Sequence, residues 1–147
     1  MTSLGRAQIL AMIPHSGAMC LLDEVLDWHA DWIRCLSHRY GDLDNPLRRP
    51  DGTLGAACGI EIAAQAMAVH GWLAGEQGAG PPGPGFLVSL REVRLASSHL
   101  DAAARPLVIE ATLLARNMRG ASYDFTVTGH GTQFLSGRAT VLLGANQ

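Results

Sequence analysis

The sequence predicts an α+β fold in which an antiparallel sheet is wrapped around one long central helix. Three observations lead to this prediction. Residues 55–75 are rich in Ala, lack Pro and are apolar nearly all round, as expected for a helix of about 20 residues enclosed by other structure. Two strand-like segments precede this stretch and four follow it. The short turns between those strands favour antiparallel pairing, and the sheet must then cover the apolar helix.

Local patterns predict the other elements. Apolar residues at helical spacing indicate a short helix over Ser3–Met12, ending before Pro14. The predicted strands are Cys20–Trp28, Trp32–Ser37, Phe86–Leu95, Leu107–Arg116, Tyr123–Thr128 and Phe134–Leu143. Residues 41–55 and 78–85 are predicted as loops from their Gly and Pro content, and residues 119–120 and 129–131 as hairpin turns. The loop at 78–85 is too short to indicate a domain boundary, and the chain length fits one domain, so residues 1–147 are predicted to form a single domain.

Composition excludes several classes of protein. The net charge is −2 and Arg48–Arg49 is the only adjacent basic pair, which argues against nucleic-acid binding. No apolar run reaches the roughly 20 residues of a membrane span, and the first twelve residues lack the features of a signal peptide. We therefore expect a cytoplasmic protein. The three cysteines are widely spaced, and no cluster of acidic or histidine residues has metal-ligand spacing, so no metal is expected.

Glu61 and Gln65 are the polar interruptions of the helix that point to chemistry. They are four residues apart and therefore share one helix face. A carboxyl group in an apolar helix is costly unless it is neutral, paired or used. The neighbours of Glu61 (Ile60, Ile62 and Ala63) offer it no evident local partner, so we favour a functional role over a structural one.

Two motifs resemble a known family. Glu61-Ile-Ala-Ala-Gln65 is similar to the Glu-x-x-Ala-Gln of the central helix in 3-hydroxyacyl-ACP dehydratases of the hotdog superfamily. Upstream, Pro14-His15 followed by Leu21-Leu22-Asp23-Glu24-Val25 resembles the Pro-His…Leu-Asp-x-Val entry of the same enzymes. The chain looks most like the small, divergent members found with aryl-polyene and related fatty-acid-type pathways.

The resemblance implies a fold, a reaction and partners. It implies the hotdog fold and the dehydration of an acyl thioester in fatty-acid or polyene-type biosynthesis. The substrate would be carried on the phosphopantetheine of an acyl carrier protein, with no further cofactor. Hotdog relatives pair their sheets edge to edge, so we expect at least a dimer, either a homo-oligomer or a heterodimer with another hotdog subunit.

The chain departs from the family pattern at the catalytic histidine. The family carries that residue in a His-Phe-Pro-Gly motif 14 residues before the helix Glu, and here the position is Leu47. We predict Glu61 as the acid and His15 as the base, with His38 as the rival base. Secondary or substrate-binding roles are predicted for Asn45, Gly59 and Gln65, the last from its place in the motif. The other histidines are expected to be structural (His70) or exposed in turns (His29, His99 and His130).

Two other functions remain open from the sequence. Hotdog thioesterases also place a carboxylate on the central helix, where it activates water. A chain without the usual histidine is also compatible with a non-catalytic partner subunit of a heteromeric dehydratase.

Overall fold

A long helix and a seven-stranded antiparallel sheet make up most of the chain. The computed structural model describes residues 3–12, 19–42, 44–51, 53–74, 83–96, 99–100 and 106–144. The strands are β1 (Leu4–Gly5), β2 (Glu24–His29), β3 (Trp32–Ser37), β4 (Leu54–Gly55), β5 (Gly83–Leu95), β6 (His99–Leu100), β7 (Leu107–Arg116), β8 (Gly120–Gly129) and β9 (Thr132–Gly144). The helices are α1 (Arg6–Leu10), α2 (Ala56–Leu73) and a 3₁₀ turn at Arg39–Gly41.

The strand order of the main sheet is β1-β2-β3-β7-β8-β9-β5, so β1 and β5 form its two edges. Every pairing in it is antiparallel. A separate two-stranded ladder joins β4 to β6 beside the start of α2. The predicted architecture is therefore confirmed, with a seventh strand because the two-residue β1 extends the sheet beyond β2.

The core lies between α2 and one face of the sheet. The helix contributes buried Ile62, Ala66 and Val69 to the same apolar cluster as Ile109 and Phe125 of the sheet. In β8 the buried residues alternate with more exposed ones, so the period-2 pattern read from the sequence places one face against the helix. Burying each such large apolar side chain contributes about 1.5–3 kcal/mol, which makes this cluster the main source of stability.

Two hairpins have turns that fit their sequences. The β8–β9 turn places His130 (φ 49°) and Gly131 (φ 75°) in the left-handed region, as a two-residue type I′ turn requires. In the β7–β8 turn, the side chain of Asn117 accepts hydrogen bonds from the backbone N–H groups of Arg119 and Gly120. The turn thus spans Asn117–Arg119 and ends one position earlier than predicted, because Gly120 already belongs to β8.

Several predicted boundaries are wrong. Both β8 and β9 begin earlier than predicted, at Gly120 and Thr132, and Leu54–Gly55, predicted as loop, form β4. Residues 20–23, predicted as strand, lie outside β2, which begins at Glu24. Side chains bind the backbone of residues 20–22, while the N–H of Asp23 donates to the carbonyl of Leu36. The predicted helix over Ser3–Met12 shortens to α1, because residues 4–5 pair with β2. The predicted loop 78–85 ends early, because β5 begins at Gly83 and a bulge in its pairing with β9 accommodates the first residues. Residues 78–82 lie outside the described residues.

None of the helices within the described ranges has the length and hydrophobicity that a membrane crossing requires.

Candidate active site

Glu61 lies half-buried on α2 and has a partner one turn along the helix. The Nε2 of Gln65 donates a hydrogen bond to the Oε2 of Glu61 at 3.0 Å. The expectation that Glu61 has no local partner is therefore wrong: a spacing of four residues brings the two side chains together. The carboxyl is held in one orientation by an amide that is itself fully buried.

Gln65 also attaches the segment before β2 to the helix. Its Nε2 donates to the carbonyl of Met19 at 2.8 Å, and its Oε1 accepts the backbone N–H of Leu21 at 2.9 Å. A primary amide has two N–H donors, and here one is used by Glu61 and the other by Met19. Gln65 therefore positions Glu61 relative to the backbone of residues 19–21.

Residues 19–23, which we call the entry segment, are fixed by further hydrogen bonds. Arg6 donates to the carbonyls of Cys20 (2.6 Å) and Leu22 (3.0 Å). The hydroxyl of Ser37 donates to the carbonyl of Leu21 at 2.6 Å. These bonds fix the backbone that leads into β2 at a position beside Gln65. His15, the predicted base, lies outside the described residues, as do Pro14 and Gly17.

His38 follows β3 and is exposed. Its backbone N–H, with that of Arg39, donates to Oδ2 of Asp23, at 2.6 and 3.0 Å. The Nε of Arg39 completes the cluster on Oδ1 of the same carboxylate at 2.8 Å. Asp23 thus caps the 3₁₀ turn and links the end of β3 to the entry segment. The role of His38 as rival base stays a prediction.

Asn45 is buried and holds the loop before β4 against the helix. Its Nδ2 donates to the carbonyl of Tyr40 at 2.7 Å and contacts Sγ of Cys58 at 3.5 Å. Its Oδ1 accepts the backbone N–H of Leu47 at 2.9 Å. All three of these contacts are with other protein atoms. Asn45 therefore has a structural role, because it fixes the loop beside the start of α2.

Leu47 is at the position where the family resemblance predicts a histidine. Its side chain is half-buried and packs against the apolar core. An apolar residue packed in this way supplies no proton-transfer group at that position. Any base must come from another segment of the chain or from a partner.

Cys58, one turn before Glu61, was not among the predicted site residues. Burial raises the pKa of its thiol; the hydrogen bond from Asn45 opposes this rise, and the nearby charge of Glu61 adds to it. Because a thiol needs its ionised form to act as a nucleophile, Cys58 is a protonated, buried side chain at neutral pH. The i, i+3 spacing from Glu61 was the only sequence signal that could have identified it.

Gly59 lies on a side of α2 that packs against other protein side chains. A Cβ atom built there would approach Cδ2 of Leu135 to 2.7 Å and both terminal carbons of Leu100 to 3.7 Å. Its small size is therefore explained by helix–sheet packing. The predicted close approach of substrate at this residue stays a prediction.

His70 is buried two and a half turns beyond Glu61. Its Nε2 lies 2.9 Å from the carbonyl of His29 and its Nδ1 lies 2.7 Å from the hydroxyl of Tyr123. Since a carbonyl only accepts, Nε2 carries the proton and Nδ1 accepts from Tyr123, which in turn lies 3.3 Å from a guanidinium nitrogen of Arg116. Burial lowers the pKa of His70. This geometry fits the structural role predicted for it.

The remaining histidines lie in turns or at strand ends away from Glu61 in the sequence. His29 is half-exposed, pairs with Asp31 at 2.7 Å and stacks on Trp32, and His130 is exposed. The side chain of His99 lies outside what the structure describes. In the described ranges no three His, Cys, Asp or Glu side chains are grouped so as to hold a metal ion.

The fold and the helix motif define a hotdog protein of the dehydratase type. The chain belongs to the ApeP-like dehydratase family, whose model, described as ApeP dehydratase, matches residues 7–146. This confirms the family resemblance and the dehydratase class expected from the two motifs.

Solved structures agree with this assignment. A chain of the dehydratase heterocomplex ApeI:P from Xenorhabdus doucetiae superposes with a TM-score of 0.80 at 25% identity, over 91% of this chain and 89% of that one. A mutant of thioesterase PA1618 from Pseudomonas aeruginosa matches at 12% identity and a TM-score of 0.66, over 93% and 91% of the two chains. Thioesterase HI1161 from Haemophilus influenzae gives 13% and 0.62, over 93% and 86%. The two thioesterases share the fold alone. The comparison with curated proteins finds no match.

Proposed function

We propose that this protein is a hydro-lyase that removes water from a 3-hydroxyacyl thioester carried on the phosphopantetheine of an acyl carrier protein, in fatty-acid or polyene-type biosynthesis. The observation that carries the proposal is the carboxyl of Glu61 on the central helix, which accepts a hydrogen bond from Gln65 in a chain of the dehydratase family. The proposal includes two expectations from the sequence, that the reaction takes place in the cytoplasm and that it needs no further cofactor.

The reaction requires one base and one acid. The base removes a proton from carbon 2, next to the thioester carbonyl, and the electron pair forms the carbon 2–carbon 3 double bond. The hydroxyl on carbon 3 leaves with a proton from the acid, so the products are water and the unsaturated thioester. In this proposal Glu61 is the acid and His15 the base.

The hydrogen bond at Glu61 supports its role as the acid. Gln65 donates to Oε2, so this oxygen is the acceptor in the contact. The amide of Gln65 is fixed in turn by the entry segment, which limits rotation of the carboxyl. A carboxyl fixed in this way transfers its proton in a defined direction, as general acid catalysis requires.

Sequence proximity supports His15 as the base. His15 is four residues before Met19 in the sequence. The carbonyl of Met19 is bonded to the same Gln65 amide that holds Glu61. An imidazole has a reference pKa of about 6.5, which suits a base near neutral pH.

A second hotdog subunit belongs to the proposal. In the described sheet β5 is an edge strand that pairs with β9 alone. Its residues Leu90 (38% exposed) and Leu95 (52% exposed) present apolar surface beside that open edge. The structure with a TM-score of 0.80 comes from a dehydratase heterocomplex. We therefore propose that the chain functions as at least a dimer joined along β5.

One observation favours a second candidate function, that of a non-catalytic partner. Leu47 packs into the core where the family resemblance predicts the histidine. In this alternative the chain is the non-catalytic partner of a catalytic hotdog subunit and contributes no base. Nothing in the described site favours the thioesterase alternative over these two.

Mass spectrometry of a 3-hydroxyacyl carrier protein separates the three functions. The carrier protein is incubated with this protein alone and then with a co-expressed hotdog partner. We expect loss of one water from the acyl chain, dependent on Glu61 of this chain. Loss of the whole acyl group would instead identify a thioesterase. Turnover that needs the partner and is insensitive to Glu61→Gln would identify a non-catalytic subunit.

A further inference from the structure

Ser37 is a buried polar residue at a position where the strand pattern favours an apolar one. It is the last residue of β3, and its side chain is fully buried. The buried residues that alternate with exposed ones before it, Ile33 and Cys35, are apolar and belong to the core cluster. Burying a hydroxyl is unfavourable unless it forms a hydrogen bond. The bond that Ser37 makes therefore accounts for a serine at this position.

The hydroxyl of Ser37 binds the backbone of the entry segment. It donates to the carbonyl of Leu21 at 2.6 Å, and the N–H of the same residue donates to Oε1 of Gln65 at 2.9 Å. Both polar backbone groups of Leu21 are thus bound by buried side chains, one from the sheet and one from the helix. Leu21 is buried as well, so its backbone depends on these two bonds.

Strands on both sides fix the position of Ser37. β3 lies inside the main sheet between β2 and β7, and Ser37 is paired with Leu107 of β7. Towards β2, the N–H of Asp23 donates to the carbonyl of Leu36 at 2.9 Å. The hydroxyl of Ser37 therefore ties Leu21 to the interior of the sheet.

Successive hydrogen bonds lead from Ser37 to the carboxyl of Glu61. Ser37 binds Leu21, which binds Oε1 of Gln65. Nε2 of the same planar amide donates to Oε2 of Glu61 at 3.0 Å. A displacement of Leu21 therefore turns the amide and moves the donor at Glu61. The other N–H of the amide binds the carbonyl of Met19, which belongs to the same entry segment.

We infer that Ser37 is a positioning residue, which fixes the orientation of the Glu61 carboxyl through Leu21 and Gln65. Ser37 is fully buried, and it acts on Glu61 through these bonds alone. The inference rests on the proposed function for its effect on turnover. Its effect on the Gln65 amide does not depend on that function.

Three variants test the role of the hydroxyl. Ser37→Ala removes it. Ser37→Thr keeps it and tests rescue. Ser122→Ala is the matched control, because it removes a hydroxyl whose partner is Oγ1 of Thr140, at 3.4 Å, away from the entry segment. Circular dichroism and denaturant unfolding establish that each variant is folded.

The side-chain amide of Gln65 is the first readout, measured by NMR without any substrate. In Ser37→Ala its two N–H resonances should shift and exchange faster with solvent, because the Leu21 peptide that anchors Oε1 has lost its own anchor. Ser37→Thr should move the resonances back towards the wild type, and Ser122→Ala should match the wild type. A Gln65 amide that is unchanged in Ser37→Ala would overturn the inference.

Turnover of a 3-hydroxyacyl carrier protein is the second readout. Ser37→Ala should lower kcat by about 10- to 100-fold and leave KM nearly unchanged, because a misplaced acid affects the chemical step and not substrate binding. In the Gln65→Leu background the same change should lower kcat much less, because the connection is already broken. An equal loss in both backgrounds, or an unchanged kcat in Ser37→Ala, would overturn the inference. If Gln65→Leu does not fold, the amide and the kcat of Ser37→Ala decide.

The outcome is separable from the proposed function. An inactive protein whose Gln65 amide still responds to Ser37→Ala and not to Ser122→Ala would refute the dehydration and leave the positioning in place. An active protein in which Ser37→Ala changes neither the amide nor kcat would refute the positioning and leave the dehydration in place.

Discussion

Gln65 donates a hydrogen bond from Nε2 to Oε2 of Glu61 at 3.0 Å while its other polar contacts hold the entry segment. The acid of the proposed reaction and the segment that leads back to His15 are thus joined through a single buried amide.

Glu61→Gln should abolish turnover and preserve the fold. The glutamine keeps the shape and still accepts from Gln65, but it has no proton to give to the leaving hydroxyl. Because a general acid contributes about 10²- to 10⁴-fold, the rate should fall by about that factor. Circular dichroism and the thermal midpoint should match the wild type. Unchanged activity would show that Glu61 is structural.

Gln65→Leu should lower both stability and activity. The change leaves the Leu21 N–H and the Met19 carbonyl without their buried partner, at about 1–3 kcal/mol for each unsatisfied group. Denaturant unfolding measures the loss. Gln133→Leu, at an exposed position of β9, is the control and should leave both quantities nearly unchanged. A loss no larger than the control's would argue against Gln65 as the anchor of the entry segment.

Two glycines of α2 should respond in opposite directions to alanine. At Gly71 a Cβ meets nothing within 4 Å, so Gly71→Ala should stabilise the protein by about 0.5–1 kcal/mol through helix propensity. At Gly59 the Cβ would press on the buried Leu135, and such overpacking costs about 1–3 kcal/mol. Unfolding free energies of the two variants give the comparison, and stabilisation by Gly59→Ala would contradict the packing described here.

His70 should make the protein sensitive to acid. Its pKa is lowered in the folded state from the ordinary value of 6.5, because burial disfavours the charged ring. The unfolded chain then binds the proton more readily, so the contribution of His70 is complete above pH 6.5 and falls as the pH drops from there towards the folded pKa. The slope is at most about 1.4 kcal/mol per pH unit.

His70→Gln should flatten that part of the stability profile. A glutamine keeps an N–H donor for the His29 carbonyl and an acceptor for Tyr123 but does not titrate in this range. Denaturant unfolding at a series of pH values checks the difference between the wild type and the variant. His130→Gln, in an exposed turn, is the control and should keep the wild-type slope. The same slope in His70→Gln as in the wild type would assign the acid sensitivity to other groups.

The fold could be predicted largely from the sequence because its pattern is local. The apolar stretch of α2 and the alternation of β8 give element type directly, and β3 and β7 have the predicted bounds. The predicted start of β2 was wrong because side chains, and not a neighbouring strand, bind the backbone of the residues before it. Nothing local indicates that Arg6 and Gln65 take the backbone groups of residues 20–22.

The site was predicted in part. The motif identified Glu61 and Gln65. The two contacts that make Gln65 a positioning residue, however, join it to Leu21 and Met19, which are 44 and 46 residues away in the sequence. The same limit applies to Asn45, whose contact with Cys58 depends on how the loop folds back on the helix. Such contacts are set by tertiary packing, which a pattern of residue types does not encode.

The central claim is that this chain supplies both the acid and the base of a dehydration, with His15 in place of the missing histidine. The most direct measurement is the loss of water from a 3-hydroxyacyl carrier protein, followed by mass spectrometry for His15→Ala and His38→Ala under identical conditions. We predict that His15→Ala abolishes the loss of water with the fold intact, while His38→Ala has a modest effect. Full activity of His15→Ala, or the reverse order of the two variants, would contradict it.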